Sequence, residues 1–183
     1  MRMRVKAATC AALAAAGVTT AVAIGSDSEK FRTGLSGFEE VPAVITSGNG
    51  EFTARLSPSE DRIDFELSYG ALEGGEVRQA HIHVAQKTAN GSIVVWFCGS
   101  PTNPGPTGTP ICPQSGTVSG TIEPADVQVV PAQGFRQDAT MDAEARFAEL
   151  VTALRKGVAY ANVHTATSTG GEIRGQILDR QDG

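Results

Sequence analysis

The sequence predicts an all-β protein, an antiparallel, Greek-key-like β-sandwich or barrel with one amphipathic helix in its C-terminal half. Three observations carry this expectation. Several short runs alternate apolar and polar residues with a period of two. Clusters of Gly, Pro, Asn and Ser separate those runs at the spacing of turns. One stretch, residues 147–154, changes to the 3.6-residue period of a helix. The length of 183 residues suits one domain with a core of its own.

The first 23 residues are expected to be a secretory signal peptide. Arg2, Arg4 and Lys6 form a basic start, residues 7–22 an Ala-rich apolar run, and Ala21-Val22-Ala23 a small-x-small cleavage pattern. A membrane anchor is the competing reading, but the run is short and weakly apolar for a spanning helix. Residues 24–30 read as a linker and residues 179–183 as a tail.

The strands follow in order. Residues 31–35 form a short first strand. Residues 50–56 alternate with Phe52, Ala54 and Leu56 on one face. Residues 62–69 turn Ile63, Phe65, Leu67 and Tyr69 inward and Asp64, Glu66 and Ser68 outward. Ser57-Pro58-Ser59-Glu60-Asp61 between them makes a hairpin. Residues 77–85 and 93–97 are expected to pair around Asn90-Gly91, a dipeptide suited to the positive φ angles of a type I′ turn. The sequon Asn90-Gly91-Ser92 is read as turn chemistry of this kind rather than as a glycosylation site. Residues 116–122 add a strand, and residues 160–165 and 172–178 make a final hairpin. The helix places Phe147, Leu150, Val151 and Leu154 on one stripe. Thr140 or Asp142 is its cap, Gly157 its end, and Arg155 and Lys156 complement its dipole. The stripe suits packing on an open end of the barrel; a partner-binding role is the alternative.

Export changes two readings. Without residues 1–23 the chain loses three basic residues and no acidic one, so its formal charge moves from -5 to -8. No basic patch remains, which disfavours nucleic acid and anionic membrane as partners. Cys98 and Cys112 remain, and in an oxidising compartment they are expected to form a disulfide across a Pro-, Gly- and Thr-rich loop. The alternative is a metal-ligating thiolate at Cys98.

All three histidines lie in strand-like segments: His81 and His83 in Ala80-His81-Ile82-His83-Val84, His164 in Val163-His164-Thr165. On a strand His81 and His83 point the same way, so both reach one ion above it. If the last hairpin turns around Ser168, His164 lies opposite Glu172 and Asn162 opposite Arg174. Convergence of His81, His83 and His164 with open coordination positions would suit copper or zinc. Glu40 or Glu172 would then accept from the ring N–H groups. The alternative is a structural network of the same residues, with Asn162 and a buried Glu172–Arg174 pair.

These residues also carry a family resemblance. Leu35-Ser36-Gly37 with Glu40-Val41-Pro42-Ala43-Val44, then Ala80-His81-Ile82-His83 and Asn90-Gly91, resemble the opening of a CHRD (chordin) domain. Residues 160–165 and Gly170-Gly171-Glu172-Ile173-Arg174-Gly175-Gln176-Ile177 resemble its closing motif. The resemblance covers residues 31–178. Gly170 stands where the family often has Pro, and the disulfide loop plus helix is longer than in a minimal domain. The resemblance implies an exported domain of bacterial type without an assigned activity.

Two functions follow as expectations. One is a secreted, non-catalytic binding module for an extracellular ligand, with a metal ion on three histidines. The other is a small mononuclear copper protein with redox activity, since the H-x-H strand plus a distant His is similar to the arrangement in Cu/Zn superoxide dismutase. Three imidazoles are too few for that enzyme's two-metal site. A hydrolase is disfavoured, because there is no G-x-S-x-G and no evident nucleophile.

Overall fold

In a computed structural model the described residues are 28–179; the expected signal peptide and residues 180–183 lie outside them. The strands are β1 (Lys30–Ser36), β2 (Asn49–Leu56), β3 (Ile63–Gly70), β4 (Val77–Val84), β5 (Ile93–Cys98), β6 (Gly116–Ile122), β7 (Ala159–Thr165), β8 (Ile173–Gln176) and β9 (Leu178–Asp179). The helix α1 (Ala143–Arg155) stands between β6 and β7. Lys30 and Asp179 thus belong to the sheet rather than to the expected linker and tail.

The sheet runs β5-β4-β7-β8-β1-β2-β3-β6, with β9 on β1, and its ladders are antiparallel. Its two end strands, β5 and β6, approach each other, so the sheet is a nearly closed barrel. β7 returns beside β4, and β6, which forms no ladder with β5, lies near it across the gap, so the order around the barrel is Greek-key-like, as expected. Alternation sets which face is inside. Phe52, Ala54 and Leu56 of β2 and Ile63, Leu67 and Tyr69 of β3 are buried, while Asp64 and Glu66 are exposed. Phe97 of β5 reaches Phe52 and Phe65 at ring-centroid distances of 5.3 and 4.6 Å, which knits the two ends of the sheet through the core.

The helix plugs one end of the barrel. Asp142, of the two caps expected, accepts from the Ala145 N–H at 2.9 Å. Gly157 takes a φ of +64° to turn the chain into β7. Phe147, Leu150, Val151 and Leu154 join the core. Arg155 pairs with Glu29, next to β1, and with Glu60 in the β2–β3 turn, both at 2.7 Å.

One turn departs from expectation. β4 ends at Val84 and β5 begins at Ile93, so residues 85–92 form a longer loop. Neither Asn90 nor Gly91 takes a positive φ there. Gly91 is needed for clearance instead, since a Cβ on it would lie 1.9 Å from the Val84 carbonyl oxygen. Asn90 is needed for its amide, which donates to the Val41 carbonyl at 2.9 Å and accepts from Arg174 at 3.0 Å.

Cys98 and Cys112 are bonded to each other, which removes Cys98 as a thiolate ligand. The loop they close lies over the outer side of β4 and β5. Asn103 donates to the Gln79 side chain at 2.6 Å, and Gly105 sits so close that a Cβ there would meet the Trp96 ring at 2.7 Å. The bridge spans 14 positions. Replacing both cysteines by Ala should therefore lower unfolding stability by about 3 kcal/mol. Denaturant titration of wild type and double variant checks this; identical midpoints would contradict it.

Candidate metal centre

Strand pairing builds the site. β4 and β7 lie side by side with His81 opposite Asn162, His83 opposite Tyr160 and Gln79 opposite His164. On the next strand Arg174 lies opposite Asn162, as the sequence predicts. The alternating neighbours Ala80, Ile82, Ala161, Val163 and Ile173 belong to the hydrophobic core. The histidines therefore stand on the outer face of the sheet, where loops cover them. His81 is fully buried and His83 and His164 are 7% and 6% exposed. The ring centroids are 5.4 Å apart for His81 and His83, 5.1 Å for His81 and His164, and 5.9 Å for His83 and His164.

The hydrogen bonds decide which nitrogens are free. His83 Nδ1 lies 3.0 Å from the Gly91 carbonyl and His164 Nδ1 lies 3.0 Å from the Thr169 carbonyl. A carbonyl only accepts, so Nδ1 carries the proton and each neutral ring keeps its lone pair on Nε2. Those two Nε2 atoms and both nitrogens of His81 are buried without a hydrogen-bond partner. One candidate ligand atom from each ring lies within 4.8 Å of the other two. The centre of an equilateral triangle of that side is about 2.8 Å from each corner, and metal–imidazole bonds are about 2.0–2.1 Å. Small side-chain movements close that gap.

The rings are neutral at ordinary pH. Burial pushes the His81 imidazole well below its usual range, with His164 and His83 adding repulsion. Burial, and then His164, bring His83 down to about 4. Burial also lowers His164 against the pull of the Thr169 carbonyl. Neutral imidazoles are the form that ligates a metal.

Aromatic rings wall the cluster. Trp96 meets the edge of His81 at 4.2 Å. Tyr160 stacks on His83 at 4.8 Å with a 7° tilt, and the Arg174 guanidinium covers the Tyr160 ring at 3.8 Å. Arg174 also donates to the Lys87 and Ala89 carbonyls and to Asn90. It thereby holds the loop that carries Gly91, the partner of His83. Asn162 donates to Glu40 at 2.6 Å and to the Ile173 carbonyl at 3.0 Å. Burial raises Glu40 to about 7 despite Arg174 and Asn162, which pull it down.

Two sequence expectations are corrected here. The acceptors for the His83 and His164 ring N–H groups are backbone carbonyls, not Glu40 or Glu172, and His81 has none. Glu172 also makes no ion pair with Arg174. Its carboxylate accepts from Thr46 Oγ1 (2.7 Å), Thr165 Oγ1 (2.7 Å) and the Glu73 and Gly74 N–H groups (2.6 and 2.9 Å). The reason is local. The β7–β8 ladder ends at Val163 and Ile173, and Gly171 with a φ of +123° re-aims the chain just before Glu172. Trp96 and the Gly91 and Thr169 carbonyls were not foreseen. A lone tryptophan on the strand after H-x-H is a visible signal, but its register is not.

A nearly closed antiparallel barrel with a loop-covered cluster of three neutral imidazoles on its outer face defines a small β-domain with a candidate transition-metal centre. The chain belongs to the CHRD domain family, which it matches over residues 31–177. No curated protein and no solved structure matches it.

Two predictions follow from this geometry. Glu172 ties three segments together, so Glu172→Ala should cost at least about 3 kcal/mol, the scale of several lost charge-assisted hydrogen bonds; denaturant unfolding reads it, and a loss well under 1 kcal/mol would contradict it. The second concerns acid. An imidazole whose folded pKa is lowered stabilises fully above its unfolded value of about 6.5. That contribution is lost as pH falls, for His83 through about 4. Glu40, being raised, acts in the opposite sense and loses its contribution as pH rises through about 7. Three imidazoles against one carboxyl make the metal-free protein less stable from pH 6.5 downward, and Glu40→Gln should steepen that fall. A flat stability profile over this window, by denaturant midpoint, would contradict the assignment.

Proposed function

We propose that this is an exported CHRD-domain binding protein whose ligand set His81, His83 and His164 holds one transition-metal ion, copper or zinc. One observation carries the reading: a nitrogen from each ring lies within 4.8 Å of one from each of the others, and each ring keeps a buried nitrogen without a hydrogen-bond partner. A purely structural network would use those atoms, because a buried polar group without a partner costs about 1–3 kcal/mol. Asn162, Glu40, Arg174 and Glu172 are all engaged, but with one another's segments rather than with the rings. Arg174 holds the loop that leads to Gly91, whose carbonyl orients His83.

The sealed nitrogens favour retention of an ion over turnover of a substrate at it. Export is supported by the basic-then-apolar start and by the disulfide. Among the described residues no helix is long and apolar enough to cross a membrane. The acidic mature chain suits a role outside the cell without nucleic acid or membrane as partner.

Elemental analysis of protein purified after export should find one copper or zinc per chain. His83→Ala and His164→Ala should each lose it. Adding the ion should raise the melting temperature of the metal-free wild type but not of either variant, since a ligand at a hundred times its Kd stabilises by about 2.7 kcal/mol. Metal content unchanged in both variants would overturn the proposal.

A further inference from the structure

We infer that the ion this centre is built to hold is monovalent copper, Cu(I), in preference to zinc(II) or copper(II); the inference rests on the three-imidazole reading above. The first reason is the charge of the donors. The cluster consists of three neutral imidazoles, with no carboxylate or thiolate among its candidate ligands. The cost of taking an ion out of water rises as the square of its charge, so neutral donors that bring no compensating negative charge disfavour a divalent ion relative to a monovalent one.

The second reason is the surroundings. Ring N–H groups that donate to carboxylates pass negative charge to the metal, whereas here they donate to the Gly91 and Thr169 carbonyls. The fixed charge behind His83 is positive: the Arg174 guanidinium lies 3.8 Å from the Tyr160 ring, which lies 4.8 Å from the His83 ring. At about 10 Å from the ion, each added unit of ionic charge is disfavoured about tenfold by that cation. Two buried acids stand on this face: Glu40 is turned onto Asn162, and Glu172 is taken up by Thr46, Thr165 and the 73–74 N–H groups.

The third reason is the number of donors. Structural zinc takes four ligands and copper(II) a tetragonal set. Here the free nitrogens are sealed from solvent and the walls are the Trp96 and Tyr160 rings, which offer no fourth strong donor. A closed-shell Cu(I) ion is satisfied by three.

The test is a pair of competition titrations on the mature, metal-free chain. Anaerobic Cu(I) is measured against a chromophoric cuprous chelator, and zinc(II) and copper(II) against chelators of their own. Trp96, the single tryptophan and a neighbour of His81, reports occupancy through its emission. The expected result is one Cu(I) per chain, bound more than about a hundredfold tighter than zinc(II). Arg174→Met should narrow that gap about tenfold, and Arg174→Lys should keep it. The wild-type comparison decides the matter even if Arg174→Met does not fold. Divalent ions bound as tightly as Cu(I), with binding abolished in His83→Ala, would overturn the preference and leave the three-imidazole site standing. No ion bound, or binding that survives both His83→Ala and His164→Ala, would overturn both.

Discussion

Four ring nitrogens on three histidines are buried without a partner, and the rest of the outer face is arranged around them. Folding exposes polar groups to a choice between water and a protein partner, and a buried atom with neither is a standing cost. Three such rings side by side multiply that cost. Their low proton affinity follows, because a charge among them would add repulsion to desolvation. What makes the arrangement tolerable is the frame. β4 and β7 share a hydrophobic inner face of Ala80, Ile82, Ala161 and Val163, and the histidines are carried by the same ladder.

The polar residues around the rings act on loops. Glu172 gathers Thr46, the 73–74 backbone and Thr165 onto one carboxylate. Its burial works to raise its pKa, but those hydrogen bonds outweigh burial and hold it below the usual carboxylate range. Arg174 fastens residues 87–90 and reaches His83 through the Tyr160 ring. Asn162 and Glu40 join the start of the domain to its closing hairpin. Arg174 among them fixes the segment that leads to the Gly91 carbonyl beside His83. The same cation that organises the loop at residues 87–90 also opposes a proton on His83, behind burial and His164.

Much of this was legible in the sequence, and the boundary is instructive. Alternation in residues 50–56 and 62–69 reports a face, and faces are what a sheet buries, so those strands and the β2–β3 hairpin read directly. H-x-H fixes two rings on one side of a strand for the same reason. The pairing of Asn162 with Arg174 followed from the placement of one turn at Ser168. Partners far apart in sequence did not read. Nothing local says that Glu172 meets Thr46 or that Arg174 meets the Lys87 carbonyl, because those contacts depend on where loops land after the barrel closes. Asn90-Gly91 misled for a related reason. Its local preference for a tight turn gave way to a close approach at the Val84 carbonyl and to an amide bridging Val41 and Arg174.

The most direct measurement of the central claim is X-ray absorption at the metal edge of the loaded protein. The expected result is a first shell of three nitrogen scatterers at about 2.0 Å, with the outer-shell pattern of imidazole rings and no sulfur. A first shell of oxygen atoms, or one containing fewer than two imidazoles, would place the ion elsewhere and contradict it.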